Sequence, residues 1–226
     1  MIIGGTSGIG LETAKYLKSQ KNEILIGGRN SVDEDLNYSF IDVTDENSIA
    51  NFFENTTQIK GLVYSTGIST KQSSIENFDK YIWRNIIDVN VTGALLTLKY
   101  AYKHLAINKG KIVIVNSIAS RIYSAFSGVE YTMSKSALNG MVRQLSMDFV
   151  QDGVLINSIM PSMTATPMLL NNVPTEKLNN IENKIPIGRI SKPIEVAKAI
   201  EFLLSDNNSY MTGCGLDLNG GQFLNG

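Results

Sequence analysis

The sequence predicts an α/β fold, a single doubly wound and mostly parallel seven-stranded sheet with helices on both faces. Three observations carry that expectation. Short β-branched runs alternate with longer stretches of helical periodicity. Several of the runs are continuously apolar, as strands buried on both faces require. A glycine-rich turn stands between the first run and the first helical stretch. Alternation of this kind closes through right-handed crossovers into a parallel sheet.

The elements follow in order. Ile2-Ile3 is the first strand, with almost nothing before its glycine turn. Leu11, Ala14 and Leu17 mark the first helix. Ile24 to Ile26 and Ser39 to Ile41 are the second and third strands. Between Arg29 and Asp42 there is hardly space for a crossover helix, so a loop or single turn is expected, with a thinner sheet face there. Leu62 to Tyr64, Ile112 to Val115, Leu155 to Ile159 and Gly215 to Leu218 complete the strands. Ala137, Met141 and Leu145 mark the helix ahead of the sixth. No repeat, low-complexity tract or linker divides residues 1–226, which read as one domain with a polar insertion around 168–185.

Composition excludes several classes of function. A chain of 226 residues can bury a sizeable core. Its hydrophobic content of 43% and charged content of 18% are ordinary for a globular protein. Twenty basic and 21 acidic residues give a net charge of -1, which offers no bulk attraction to nucleic acid or an anionic membrane. No apolar run reaches membrane-spanning length, and the N-terminus lacks a signal-peptide pattern. A single cysteine, Cys214, excludes an internal disulfide and fits a reducing compartment, so a cytoplasmic location is expected. With one histidine, His104, beside that one cysteine, no metal site is expected. His104 is expected at the surface or in packing, Cys214 as a small buried hydrophobe, and Trp83 in the core or an interface.

Two motifs point to chemistry. In Tyr131-Thr-Met-Ser-Lys135 the phenol and the ammonium are four residues apart and share one helix face. A neighbouring positive charge lowers a tyrosine's pKa, and a phenol so tuned can exchange a proton with a substrate oxygen. The second motif is Gly4-Gly5-Thr6-Ser7-Gly8-Ile9-Gly10, between first strand and first helix. Glycines there let the backbone approach a pyrophosphate, and the helix N-terminus offers free N–H groups to it. At the end of the second strand stands Gly28-Arg29, where a carboxylate would select NAD. Arg29 can instead pair with a 2′-phosphate, helped by Asn30 and Ser31, so NADP (NADPH) is expected in preference to NAD. Asp42-Val43 can meet the adenine.

Taken together, these ordered motifs resemble the short-chain dehydrogenase/reductase family, over essentially the whole chain. Gly4, Gly8 and Gly10 match its glycine turn, with Ile3 where threonine is usual. Asp42-Val43-Thr44-Asp45, Asp88-Val89-Asn90-Val91-Thr92-Gly93, Val115-Asn116-Ser117, Asn157 to Ser162, Ile185 to Arg189 and Thr212 through Gly221 match further segments. One segment departs: the family's Asn-Asn-Ala-Gly is Tyr64-Ser65-Thr66-Gly67 here, which puts strand support in doubt while keeping Gly67. The resemblance implies a Rossmann-like fold and a catalytic set of Asn90, Ser117, Tyr131 and Lys135. It implies cofactor contacts from Gly4, Thr6, Ser7, Gly8, Ile9, Gly10, Arg29, Asn30, Asp42, Val43, Gly67, Asn90, Tyr131, Lys135, Pro161, Met163, Thr164 and Thr166. It also implies that the 168–185 insertion is a substrate lid and that the chain forms a homodimer or homotetramer.

The activity so implied is hydride exchange between a small-molecule carbonyl and a secondary alcohol, with no nucleic-acid or membrane partner. The substrate pocket is expected from Ile68 to Ser73, Ile118 to Tyr123, Ser162 to Thr164 and the segment after Pro167. Reductases of acyl-carrier-protein thioesters commonly show Gly-Gln-x-Asn before the tyrosine, where this chain has Ser127-Gly128-Val129-Glu130. Arg121 and Lys71 could still form a basic entrance. Two other readings remain: a non-catalytic NADP-sensing protein, and an isomerase or dehydratase that keeps its cofactor bound.

Overall fold

In the computed structural model, all residues of 1–226 are described except 33, 34, 55, 57, 72, 73, 172, 174, 225 and 226; at 175–177 and 179 only the backbone is. Gln72 and Ser73 of the expected pocket, two residues of the Arg29–Asp42 connection and two of the 168–185 insertion therefore lie outside the described residues.

The strands are β1 (Ile2–Ile3), β2 (Leu25–Gly28), β3 (Asn37–Phe40), β4 (Gly61–Tyr64), β5 (Lys111–Val115), β6 (Leu155–Pro161) and β7 (Gly215–Leu218). They form one seven-stranded sheet in the order β3-β2-β1-β4-β5-β6-β7. Every pairing is parallel. The helices are α1 (Gly8–Ser19), α2 (Glu46–Glu54), α3 (Lys80–Ile87), α4 (Gly93–Ile107), α5 (Val129–Phe149), α6 (Pro167–Leu170), α7 (Thr175–Glu182) and α8 (Pro193–Leu204).

Alternation along the strands divides the apolar side chains between two cores. Ile2, Ile26, Val63, Val113 and Ile159 meet Ala14 and Leu17 of α1 and Val196, Ile200 and Leu203 of α8. Ile3, Leu62, Tyr64, Ile112, Ile114 and Ile156 meet Phe52 and Phe53 of α2, Leu98 and Leu105 of α4, and Leu138, Val142 and Phe149 of α5. Each fully buried aliphatic side chain contributes about 1.5–3 kcal/mol of transfer free energy.

Local chemistry sets the ends. Asp79 caps α3 by accepting the N–H groups of Tyr81 and Ile82 at 2.7 and 3.2 Å. Pro193 opens α8, where Glu195 reaches back to the Lys192 N–H at 2.7 Å. Gly153 ends the turn after α5 in the left-handed region, at φ 73°. As the short connection predicts, β2 and β3 are joined without a helix among the described residues. Val32 and Leu36 pack there against the α1/α8 core. The second and third strands run slightly differently from the sequence expectation: Ile41 leaves β3, though its N–H still bonds the Gly28 carbonyl at 3.1 Å.

The chain leaves β1 toward β2 on one side, and later fills the sheet through β4 on the other. That reversal opens a crevice at the carboxyl ends of the strands, where ligands bind in open α/β sheets.

Candidate active site

The glycine turn lies at that crevice. Gly4 and Gly5 donate to the Gly27 carbonyl at 2.8 and 3.2 Å, which fixes the turn on β2. Gly4 has φ 80°, and a Cβ on it would meet the Thr66 backbone nitrogen at 2.6 Å. Gly10 is buried, and a Cβ there would stand 2.1 Å from the Gly4 carbonyl. Its role is therefore to let α1 close onto the turn. Ile9 and Gly8 are half-buried in the first turn of α1, and Thr166, at the start of α6, packs near Gly8.

A cavity of about 220 Å³ opens beside the turn. Gly4, Thr6 and Ser7 line one part, Gly28, Arg29 and Asn30 the next, then Asp42, Val43 and Thr44, with Gly67 and Ile68 closing the far side. Gly28 gives Thr6 room, since a Cβ would stand 2.8 Å from its side chain. Arg29 and Asn30 are exposed at the rim. Asp42 accepts the Thr44 N–H and hydroxyl at 2.9 and 2.7 Å. These bonds, with the Arg29 charge, hold its carboxyl below the usual range.

Asn90 lies fully buried in a π-helical turn, Asp88–Thr92, between α3 and α4. Its Oδ1 accepts the Ile68 N–H at 2.8 Å, and its Nδ2 donates to the Ile68 carbonyl at 3.0 Å and Ser134 Oγ at 2.9 Å. It thus clamps the loop after β4 to α5. Ser117 follows β5 in extended conformation and caps the short 3-10 turn Ile118–Ser120, accepting the Ala119 N–H at 3.1 Å. Its hydroxyl stands close enough to the Tyr131 phenol to draw the phenol's pKa down. Lys135, one turn along α5, places Nζ 5.7 Å from the Tyr131 ring centroid and donates to the Val115 carbonyl at 3.0 Å.

The structure thus gathers Asn90, Ser117, Tyr131 and Lys135 at one place, but with different electrostatics from those the Tyr131/Lys135 spacing predicts. Burial pushes the phenol up, and the group drawing it down is Ser117. Lys135 is itself desolvated, its ammonium lowered to about 8, and its proton is directed at a backbone carbonyl.

Of the other expected cofactor residues, Pro161 ends β6, buried and paired with Leu218. Thr164 is buried, with its hydroxyl 2.8 Å from Ser191 Oγ, and Met163 accepts the Ser191 N–H at 2.9 Å. These bonds pin the segment ahead of α6 to the start of α8. Pro161, Met163 and Thr164 lie outside the lining of the cavity.

Several expectations are corrected. Arg121 turns inward, its Nε 3.5 Å from an Asp217 carboxylate oxygen and 3.1 Å from Met160 Sδ, so it is not available to a basic entrance. Cys214 is exposed, not buried, and its backbone N–H donates to Asn157 Oδ1 at 3.1 Å where the chain turns into β7. His104, in contrast, has the packing role expected of it, buried and stacked on Phe53 at 6.4 Å. Trp83 is half-buried beside Phe78.

Sequence reasoning missed Tyr64. Its hydroxyl donates to the Val89 carbonyl at 2.6 Å, linking β4 to the turn that holds Asn90. The departure at Tyr64 to Gly67 was the available signal.

A glycine turn beneath a crevice at the strand-order switch defines a dinucleotide-binding α/β protein. A family model described as enoyl-(acyl carrier protein) reductase matches residues 4–222. The cis-4-hydroxycyclohexanecarboxylate dehydrogenase of Sinomonas cyclohexanicum is 31% identical over 237 residues, covering 98% of this chain and 94% of that protein. Among solved structures, the ligand-free aldohexose dehydrogenase of Thermoplasma acidophilum superposes with a TM-score of 0.91 at 25% identity, over 98% of this chain and 92% of that one. ElxO with NADP bound gives 0.89 at 25% identity, over 98% and 96%. The chain belongs to the short-chain dehydrogenase/reductase family, as an enzyme acting on CH–OH groups with NAD(P).

Proposed function

We propose that this enzyme is an NADP(H)-dependent oxidoreductase that interconverts a small-molecule carbonyl and a secondary alcohol, with Tyr131 as general acid and base. The proximity of the Ser117 hydroxyl and Lys135 to the Tyr131 phenol carries the reading, because it places a proton donor and a positioning hydroxyl side by side. The cradle fits a dinucleotide: φ is positive at Gly4 and Gly8 in the turn, and Gly4, Thr6 and Ser7 line the cavity beside it. Gly4, Thr6, Ser7, Gly8 and Ile9 would hold the pyrophosphate, Asp42 and Val43 the adenine end, and Gly67 the ribose side. The exposed guanidinium of Arg29, with Asn30, favours a 2′-phosphate and hence NADP. The NADP found in ElxO supports the same choice.

When bound, the cofactor supplies or accepts hydride at the substrate carbon. Ser117 Oγ–H donates to the carbonyl oxygen and orients it. Tyr131 Oη gives its proton to that oxygen in reduction and takes it back in oxidation. Lys135 Nζ sits beside the phenol ring, able to hold a ribose hydroxyl. Asn90 keeps the Ile68 backbone and α5 in register around this group. Pro161, Met163, Thr164 and Thr166 would border the nicotinamide end, and the α6–α7 segment, with Met168 and Leu170 exposed, would serve as the lid. A cytoplasmic homodimer or homotetramer completes the proposal.

The test is a screen of cyclic ketones, acyclic ketones and keto sugars against NADPH consumption, with Tyr131→Phe in parallel. Turnover of at least one class is expected, with kcat lowered about 10³-fold in the variant and NADPH affinity unchanged. Turnover that survives Tyr131→Phe contradicts the mechanism, and no NADPH consumption with any class favours a sensing or isomerising role.

A further inference from the structure

Ser117 sits on a short turn, whereas Tyr131 and Lys135 stand on a 21-residue helix. Besides the Lys135–Val115 bond, what joins the two is Asn139, four residues past Lys135 and eight past Tyr131, hence on their side of α5. Its Oδ1 accepts from Asn116 Nδ2 at 2.8 Å, and its Nδ2 donates to the Ser120 carbonyl at 3.3 Å. Asn116 immediately precedes Ser117 and is 3% exposed. Ser120 returns its N–H and its hydroxyl to the Ser117 carbonyl at 3.0 and 2.6 Å. One amide thus grips the chain on both sides of Ser117.

Resting on the carbonyl–alcohol reading above, we propose that Asn139 is a positioning residue that holds the Ser117 turn in register with Tyr131. The site needs an acceptor and a donor together, which an amide supplies and neither a carboxylate nor an aliphatic side chain can. Asn116 raises the stakes, because its Oδ1 is buried with no hydrogen-bond partner among the described residues. Without Asn139, its Nδ2 loses the partner it has, and the turn relaxes to recover one. Displacement of a reacting hydroxyl by about 1 Å is enough to lose rate steeply.

Two readouts test this. In steady-state kinetics, Asn139→Ala should lower kcat about tenfold and leave NADPH affinity within about twofold. In a Ser117→Ala background the same substitution should change kcat less than about twofold, since the brace acts through Ser117. Asn139→Asp, which keeps the acceptor toward Asn116 and loses the donor, should fall between and guards against misfolding of the alanine variant. An unchanged kcat in Asn139→Ala, or a full additive loss in the Ser117→Ala background, overturns the proposal. The second readout is independent of turnover. With tyrosine labelled at Cζ and Tyr131 assigned by its loss in Tyr131→Phe, Asn139→Ala should move the Tyr131 signal toward its Ser117→Ala position. The double variant should add nothing, and an unmoved signal overturns the brace. Wild-type protein that reduces no carbonyl overturns the functional reading, and the labelled-tyrosine experiment still decides the brace.

Discussion

Lys135 is 4% exposed and carries an ammonium whose pKa burial lowers from 10.5 to about 8. Its folded pKa lies below its unfolded one, so the unfolded chain binds the proton more tightly between those values. Stability therefore rises with pH from about 8 to 10.5, and the cost is carried in full below about 8. That shift corresponds to about 3 kcal/mol, and the Lys135–Val115 bond returns about 1. Lys135→Met should accordingly abolish turnover yet stabilise the protein by about 2 kcal/mol near neutral pH, with the gain shrinking toward pH 10.5. Urea unfolding across that range checks it, and a variant less stable at neutral pH contradicts the burial argument. Tyr131 gives the matching kinetic prediction. With its phenol raised by burial and drawn down by Ser117, alcohol oxidation should accelerate with rising pH. In Ser117→Ala the rise should move to higher pH, and an unmoved profile contradicts this role of Ser117. Tyr131 and Lys135 were legible because a four-residue spacing announces a shared helix face. Asn139 was not, since its partners Asn116 and Ser120 lie 23 and 19 residues away and no local period connects them.

At the scale of elements, the π-helical turn Asp88–Thr92 has an identifiable cause. The Tyr64 hydroxyl reaches the Val89 carbonyl, and Gly93 makes the space: a Cβ there would stand 2.9 Å from that hydroxyl and 2.8 Å from the Val43 carbonyl. Tyr64→Phe leaves the Val89 carbonyl without this donor and should cost about 1–2 kcal/mol in urea unfolding. Gly93→Ala should cost more, because backbone must shift; the reverse order contradicts this account of the turn. The seven strands could be read from short apolar runs, and the helix-free β2–β3 connection from its length alone. The π turn could not be, because a one-residue insertion in helical hydrogen bonding leaves the apolar pattern nearly intact.

Across the whole molecule, two cores on one all-parallel sheet leave the crevice as the place where both faces are open to a ligand. The same packing bears on assembly. Leu138 and Phe149 are buried and Met141 and Leu145 partly so, which makes that face of α5 internal. The opposite side presents Met133 and Met147, 51% and 67% exposed. If a homodimer forms there, Met133→Glu with Met147→Glu should convert it to monomer in sedimentation velocity; a dimer that persists excludes this face. The composition could not distinguish the two sides of α5, because both carry apolar residues.

Cofactor choice tests the account most directly, since it joins the glycine turn, the Arg29 rim and the chemistry in one number. Titration of the purified protein with NADPH and with NADH, followed by nucleotide fluorescence, should show NADPH bound at least about tenfold more tightly, with Arg29→Glu reversing the order. Equal or tighter binding of NADH by the unaltered protein would contradict the assignment of Arg29 to the 2′-phosphate.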